Sequence, residues 1–174
     1  SPNGSAVARA GLSTATVVEE AARVSDEEGY ARLTLAAVAK RLGVTVPSLY
    51  KHVAGLDGLR GRLHVLASQE FAEALGRAVL GRSKSDALRA MAHAYRDYAR
   101  RHPGRYAALQ RAAAPDDAEG RAAAWAVVEV ITAVLRGFDL PEEATIDAIR
   151  AMRSALHGFV ALEADGGFGL PEDV

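Results

Sequence analysis

The stretch that decides the fold runs from Thr34 to Val53 and reads TLAAVAKRLGVTVPSLYKHV. Apolar residues recur in it at steps of three and four, the spacing that places them on one face of an α-helix. Gly43 interrupts the pattern near its middle, and glycine is the usual residue just past the end of a helix. The stretch therefore predicts two short amphipathic helices, joined by a glycine turn, that bury their apolar faces together.

Polar residues and a proline mark the ends of these two helices. Thr34 can cap the first helix, which we expect to end at Gly43. Pro47 falls in the first turn of the second helix, where its missing N–H costs nothing. We expect this helix to start after Thr45 and to run to about His52, and its predicted apolar face is Val46, Leu49, Tyr50 and Val53. Two helices joined in this way can place the second one in the major groove of DNA.

The rest of the chain also predicts helices, because helical spacing recurs along it and no stretch alternates as a strand would. The first helix should run from Thr14 to Glu28 and end at Gly29. Longer helices are expected further along, at Leu56 to Leu80, Asp86 to Arg101, Pro103 to Ala113, Asp117 to Gly137, and Pro141 to Ala164. The sequence thus predicts an all-α fold.

Composition narrows the class of protein. The chain has 174 residues, of which 49% are hydrophobic and 25% charged, with a net charge of -1, which is typical of a globular protein. The absence of cysteine excludes disulfides, thiolate nucleophiles and zinc sites that need sulfur. No apolar run is long enough to span a membrane, and we expect a cytoplasmic protein. Ser1 to Ser5 are interpreted as a linker or a remnant of expression and are set aside.

Charge is distributed unevenly along the chain. Residues 30–62 hold six lysines and arginines against a single acid, Asp57, whereas residues 63–174 hold 13 basic and 16 acidic residues. Corners of two helices also occur in proteins that never touch DNA, so the spacing alone does not decide the function. The basic charge and the polar run Ser48, Tyr50, Lys51 and His52 favour a helix that contacts phosphate.

With these residues identified, the region from about Thr14 to Leu63 resembles the N-terminal domain of the TetR family of transcriptional regulators. The family pattern is met by Thr34, Ala39, Leu42, Gly43, Val44, Leu49, Tyr50 and His52. The remainder more loosely resembles the WHG type of C-terminal domain in that family. That second resemblance rests on Tyr95 to Tyr106 (YRDYARRHPGRY), Trp125, His157-Gly158-Phe159 and Leu162-Glu163.

The resemblance implies an all-α chain with two domains. A three-helix helix-turn-helix domain at residues 12–55 would bind double-stranded DNA, and a helical domain at residues 56–174 would bind a small-molecule effector and dimerise. As a homodimer, the protein would place two recognition helices in successive major grooves of a palindromic operator. The resemblance favours a repressor over an activator. We expect no cofactor, no metal and no membrane partner.

Carried over residue by residue, the resemblance implies two kinds of DNA contact. Phosphate contacts fall on Thr34, Tyr50, Lys51 and His52, and contacts with base edges fall on Thr45, Val46, Pro47 and Ser48. Alternatives remain open: Thr34 would cap its helix in any case, the ring of Tyr50 could be partly buried, Lys51 could be merely solvated, and Val46 fits the buried stripe as well as it fits a base reader.

One position departs from the family pattern. Many relatives begin the fourth helix with a phosphate-binding lysine, and this chain has Leu56 there, followed by Asp57 and Gly58. Arg60 lies one turn further on and is the candidate replacement, although helix N–H groups, Arg9 or Lys40 could supply the contact instead.

The C-terminal half offers candidates for an effector cavity and for a dimer interface. Most of a stripe at helical spacing is expected to be packing, and the effector should be mostly apolar or aromatic. The candidate cavity residues are Met91, Tyr95, Tyr98, Tyr106, Leu109, Trp125, Met152, Leu156 and Phe159. The last two long helices are rich in alanine and branched apolar residues, which predicts a four-helix bundle at the two-fold axis, with an intrachain core as the alternative.

The sequence argues against two other classes of protein, an enzyme and a helical adaptor. An enzyme would need a nucleophile, a metal set or a phosphate loop, and the five histidines show no HExxH spacing while no GxSxG, Walker or GxGxxG motif occurs. A helical adaptor would leave the basic first third unexplained. Salt-sensitive binding to duplex DNA would separate the regulator from the adaptor.

Overall fold

The protein is described here by a computed structural model that covers residues 11–169. The segment Ser1 to Ser5, Arg9 and the last residues of the predicted domain 56–174 lie outside the described residues. Within 11–169 the chain forms eight α-helices and no strand, which confirms the all-α fold class. The helices are α1 (Thr14–Glu28), α2 (Leu35–Leu42), α3 (Val46–Leu49), α4 (Gly55–Val79), α5 (Lys84–Arg101), α6 (Pro103–Ala108), α7 (Ala118–Leu135) and α8 (Glu142–Ala164). Short 3-10 turns occupy Tyr30–Arg32 and Arg136–Phe138.

The helices group into two compact units. The first unit comprises residues 11–69 and 102–124, and the second comprises residues 70–101 and 125–169. Helices α4 and α7 contribute residues to both units. The first unit therefore holds the predicted helix-turn-helix together with α6.

The core of the first unit is apolar and closely packed. Val17 and Val24 of α1, Leu49 of α3, and Leu59 and Leu63 of α4 are fully buried in one cluster. Burying side chains of this size stabilises the fold by about 1.5–3 kcal/mol each. The predicted apolar face of α2 belongs to the same cluster, in which Val38, Ala39 and Leu42 are buried and Leu35 is partly buried.

Local capping sets the ends of α1 and α2. The Ser13 hydroxyl oxygen accepts a hydrogen bond from the Thr16 N–H at 3.1 Å, and the Thr34 hydroxyl oxygen accepts one from the Ala37 N–H at 3.1 Å. Gly43 adopts φ 68°, a left-handed conformation that glycine enters without steric cost. The N–H of the next residue, Val44, then donates to the Ala39 carbonyl, which closes α2.

Two helices end three or more residues earlier than the sequence predicts. Helix α3 stops at Leu49 instead of about His52, and α6 stops at Ala108 instead of Ala113. In both places the following turn uses bonds that reach back three residues, such as His52 N–H to Leu49 O and Gln110 N–H to Ala107 O. A tighter turn of this kind commonly ends a short helix.

The second unit is built around aromatic side chains and one ion pair. The Phe71 ring lies 5.0 Å from the rings of Tyr95 and Tyr98, all three being buried. Helices α5 and α8 are joined by the Arg96 guanidinium, which donates to both carboxylate oxygens of Glu163, with one distance of 2.9 Å from Nε to Oε2. This pairing lowers the pKa of Glu163 because the hydrogen bond favours the charged carboxylate.

The described residues contain neither a membrane-spanning helix nor a cluster of metal ligands. Between residues 11 and 169, no helix combines the length and the apolar character that crossing a bilayer requires. Nor do three or more histidine or acidic side chains of that range come together as metal ligands would.

Candidate nucleic-acid interface

The predicted DNA-binding surface is formed by α2, the turn at Gly43 and α3. The buried side of α3 is Leu49, which is fully enclosed in the core, with Val53 just beyond the helix. Thr45 and Pro47 are exposed on the other side. The Thr45 and Ser48 hydroxyl oxygens lie 2.9 Å apart and share a hydrogen bond. The start of α3 thus presents small polar groups and a proline ring outward.

The four predicted phosphate contacts differ in exposure. Tyr50 is 60% exposed and does not belong to the core cluster, which corrects its placement on the apolar face of α3. Tyr50 directly follows the buried Leu49 and keeps helical dihedrals, and one step along a helix turns a side chain by about 100°. Its ring is therefore directed away from the side that Leu49 buries. Lys51 and Thr34 are exposed, and His52 is half-buried. Thr34 already caps α2, and the His52 carbonyl accepts a hydrogen bond from the Thr14 hydroxyl at 3.3 Å.

The predicted base-edge residues sit together at the start of α3. Thr45 and Pro47 are exposed, whereas Val46 and Ser48 are half-buried. Val46 packs against the core cluster, so only part of its side chain is open to a partner. The sequence left these two interpretations of Val46 open, and the structure supports the packing role for the inner part of the side chain.

Leu56 stands where many relatives carry a phosphate-binding lysine, and the nearby basic side chains are Arg60 and Lys40. Leu56 packs against the core cluster. The Arg60 guanidinium carbon lies 5.7 Å from the centre of the Tyr30 ring, in a cation–π contact. Lys40, the other cation considered, is exposed on α2. A contact between Arg60 and DNA phosphate stays a prediction.

A buried carboxylate fixes α2 against α1, and sequence reasoning did not find it. Glu20 is 8% exposed and its carboxylate lies 2.6 Å from the Arg41 Nε and 3.1 Å from an Arg23 nitrogen. Arg41 also donates to Glu27, which lowers the pKa of Glu27 and raises the pKa of Arg41. Arg41 therefore joins two turns of α1 to α2. Nothing in helical periodicity signals a pairing between residues so far apart in sequence.

A second carboxylate joins α1 to α6. One oxygen of Asp26 accepts hydrogen bonds from the N–H groups of Gly104 and Arg105, each at 2.9 Å. Its other oxygen lies 3.3 Å from the Arg105 Nε and 3.4 Å from the His102 Nδ1. The carboxylate satisfies N–H groups at the start of α6 that have no partner within the helix. The helix-turn-helix is thereby attached to a helix outside it.

The predicted effector residues do not belong to one unit. Tyr106 and Leu109 lie in the first unit, whereas the other seven lie in the second. Met91, Tyr95 and Tyr98 are buried as core, Tyr106 is also buried, and Leu109, Met152 and Leu156 are half-buried. Phe159 is 37% exposed and Trp125 is 61% exposed.

The exposed apolar residues of the second unit concentrate on α7 and α8. Trp125 and Ile146, which is 58% exposed, line a cavity of about 830 Å³ formed by these helices and the segment that connects them. Leu162 near the end of α8 is 50% exposed. Several large apolar side chains exposed close together are typical of a surface that another molecule covers.

Comparison with known proteins gives two family matches. Residues 17–55 match the family described as "Bacterial regulatory proteins, tetR family", and residues 88–174 match "Tetracyclin repressor-like, C-terminal domain". The first match contains the whole helix-turn-helix, and the second covers half of the chain.

Individual relatives and solved structures agree with these matches. An uncharacterized HTH-type transcriptional regulator of Mycobacterium tuberculosis, Rv0681, is 42% identical over 156 residues, which cover 89% of this chain and 72% of that protein. YobS of Bacillus subtilis, of the same description, is 35% identical over 95% of this chain and 86% of its own length. The structure of SCO7222, a TetR from Streptomyces coelicolor, superposes with a TM-score of 0.68 at 25% identity, covering 90% of this chain and 72% of that one.

Proposed function

The chain belongs to the TetR family of helix-turn-helix transcriptional regulators, and on that premise we propose that it binds a palindromic operator as a homodimer and represses transcription until a small-molecule effector releases it. The observation that supports the DNA-binding part best is the exposure of Thr45, Pro47, Tyr50 and Lys51 beside the buried Leu49. A helix that served packing alone would have no need for a tyrosine, a lysine and a histidine together in the turn that follows it.

In this proposal the side chains of the helix-turn-helix divide between two tasks. Thr34, Tyr50, Lys51 and His52 hold phosphates, which fixes the register and makes affinity depend on salt. Thr45, Pro47, Ser48 and the outer part of Val46 face the base edges. Proline and valine offer only apolar contacts, such as one to a thymine methyl group. Arg41 and Glu20 act indirectly, because they hold α2 against α1.

The homodimer is proposed to form through α7 and α8. The exposed Trp125, Ile146 and Leu162 support this surface, since a partner copy would remove them from water. Two helices from each subunit can form a four-helix bundle around a two-fold axis. The dimer would place two copies of α3 about one turn of DNA apart.

The region 56–174 is proposed to carry the effector site, and the protein to act in the cytoplasm, where its operator is. Tyrosine and tryptophan side chains combine an apolar body with one hydrogen-bonding group, which suits a largely apolar or aromatic effector. Release would follow if the effector binds better to a state in which the two recognition helices no longer fit the operator spacing.

DNA binding is tested with duplexes selected from a randomised pool by their affinity for the protein. We expect the observed binding constant to fall steeply between low and moderate salt. The double variant Tyr50→Ala/His52→Ala should bind at least about tenfold more weakly, because each dimer loses up to four hydrogen bonds to phosphate, while its circular dichroism stays that of the folded protein. Binding that is indifferent to salt and to these changes would support a helical adaptor instead.

The dimer is tested by sedimentation of two matched variants. Ile146→Glu places a charge on the proposed interface and should produce monomers at micromolar concentration. Leu80→Glu places the same charge on a residue that is 76% exposed at the end of α4, outside the proposed interface, and should leave the dimer intact. Equal behaviour of the two variants, or a monomeric parent protein, would contradict the assignment to α7 and α8.

A further inference from the structure

The cavity of about 830 Å³ in the second unit lies between α7 and the N-terminal half of α8. Every residue of its wall belongs to that unit. Helix α8 packs mainly against α5, which leaves space on the side that faces α7. A volume of this size is within the range of small-molecule sites in proteins. Of the nine predicted effector residues, Trp125 belongs to this wall.

The wall has a recessed floor and an exposed rim. The floor is buried or half-buried and consists of Val128, Thr132, Leu135, Thr145 and Ile149. The apolar part of the rim is exposed and consists of Trp125, Leu140 and Ile146. Apart from the two threonines, all of these side chains are apolar. A recess of this composition, with a large aromatic ring at its edge, is typical of a ligand site.

The two threonines of the floor do not require a polar ligand. The Thr132 hydroxyl donates to the Val128 carbonyl at 2.8 Å, and the Thr145 hydroxyl donates to the Pro141 carbonyl at 3.3 Å. Each hydroxyl hydrogen is thus used by a backbone carbonyl four residues earlier. An apolar molecule that lies beside these side chains therefore leaves no hydroxyl donor unsatisfied.

The charged side chains of the rim balance one another. Arg136 and Arg150 stand against Asp139 and Glu142, and all four are exposed. Arg150 also lies 3.6 Å from a carboxylate oxygen of Asp147, which is outside the wall. The rim therefore offers no net charge to an ionic ligand, and an ion that entered the apolar recess would lose its hydration. Both facts favour an uncharged ligand.

We propose that this cavity binds an uncharged molecule built of aromatic rings. One ring lies against the Trp125 indole, where stacking adds to the gain from burial, and the rest of the molecule lies on the apolar floor. The inference rests on the proposed function, because it gives the effector site a place and a ligand class. Trp125 and Ile146 also belong to the proposed dimer surface. Since the cavity is larger than any single side chain, a partner copy would cover the bound molecule without filling the recess.

The experiment titrates a fixed low concentration of N-phenyl-1-naphthylamine, an uncharged aromatic probe, with the full chain in the absence of DNA. The fluorescence of the probe rises in apolar surroundings, and it should give a dissociation constant of about 0.2 mM or tighter. Trp125 is the only tryptophan of the sequence, and its fluorescence should fall as energy passes to the bound probe. The matched anion, 8-anilinonaphthalene-1-sulfonate, has the same rings and should bind at least about tenfold more weakly.

Three variants test the cavity itself, and circular dichroism checks that each of them is folded. Thr132→Phe places a ring on the floor and should weaken binding of the uncharged probe at least about tenfold, because it occupies the same space. Trp125→Leu, a change at an exposed position, should weaken it about two- to tenfold, because stacking is lost. Ser85→Phe adds a ring at an exposed position of α5 outside the wall and should bind as the parent does.

The outcomes separate this inference from the proposed function. A protein that dimerises and binds its duplex but does not bind the uncharged probe would overturn the inference alone. A protein that binds the probe but ignores DNA would support the cavity and remove the proposed function. Equal affinity for the two probes, or indifference to both Thr132→Phe and Trp125→Leu, would overturn the inference. Binding confined to concentrations at which sedimentation shows monomers would also overturn it, because a second copy would then fill the recess.

Discussion

Gly104 is the position where a single methyl group should separate α1 from α6. A Cβ atom built there would lie 2.0 Å from the backbone carbon of Ser25 and 2.5 Å from the nitrogen of Asp26. Carbon atoms in contact need about 3.5 Å, so α6 would have to move away by roughly 1.5 Å. Backbone atoms cannot rotate aside as a flexible side chain would. Gly104→Ala therefore forces a displacement of the helix itself.

The cost of that displacement follows from the hydrogen bonds it breaks. The Asp26 carboxylate accepts from the N–H groups of Gly104 and Arg105 at 2.9 Å, and a shift of this size takes both beyond bonding distance. Hydrogen bonds to a charged group contribute about 1.5–3 kcal/mol each, and alanine regains about 1 kcal/mol of helix propensity. We expect the free energy of unfolding to fall by about 2–5 kcal/mol, a large part of the usual 5–15 kcal/mol.

Urea denaturation followed by circular dichroism, at one protein concentration, measures this loss. The matched control is Gly61→Ala in α4, where the added Cβ meets Asp117 at an ordinary 3.8 Å; it should be neutral or stabilising by up to about 1 kcal/mol. The double variant Asp26→Ala/Gly104→Ala should lose less than the sum of its single changes, because both remove the same bonds. A Gly104→Ala variant as stable as the Gly61→Ala control would refute the reasoning.

Three further predictions concern DNA affinity, the turn and pH. Lys51→Ala should lower the slope of log affinity against log salt by about 2, since each of two subunits loses one phosphate contact. Arg89→Ala, a change at an exposed position of α5, should leave the slope unchanged. Equal slopes for Lys51→Ala and the parent protein would refute the contact. Gly43→Ala should destabilise the protein by about 1–2 kcal/mol in urea denaturation, because φ is 68° there, and an unchanged midpoint would contradict this. Arg96 lowers the pKa of Glu163 in the folded state. The ion pair therefore stabilises the folded protein fully above the pKa that Glu163 has when unfolded, about 4.3. This stabilisation is lost as the pH falls through the lower pKa of the folded state. The melting temperature of Glu163→Gln should accordingly lie below that of the parent at pH 7 and approach it under acid, whereas a constant difference would contradict the linkage.

The features that could be predicted from the sequence are those decided within a few residues. Thr34 caps α2 and Gly43 ends it as expected, because capping involves only groups three or four positions away. The all-α fold class and the TetR family are likewise confirmed, since periodicity and the motif around Tyr50 are both local patterns.

The features that could not be predicted depend on distant partners or on where a helix stops. Glu20 with Arg41, and Asp26 with Gly104, are brought together by packing across 21 and 78 positions of sequence, which no periodicity records. Tyr50 was placed wrongly for a different reason. Its spacing from Val46 fits the apolar stripe, but the buried side follows Leu49 and Val53, and Tyr50 lies at the edge of that side.

Helix α6 is too short to be stable alone, and this explains why both of its ends are tied to other helices. Six residues close hardly more than one turn, whereas isolated helices need about 12–15 residues to form in water. Its first N–H groups are held by Asp26 of α1, and its last carbonyl, that of Ala108, accepts a hydrogen bond from His64 of α4. Between these two ends Tyr106 and Ala108 are buried, so packing against the core acts together with the end contacts to hold the helix in place.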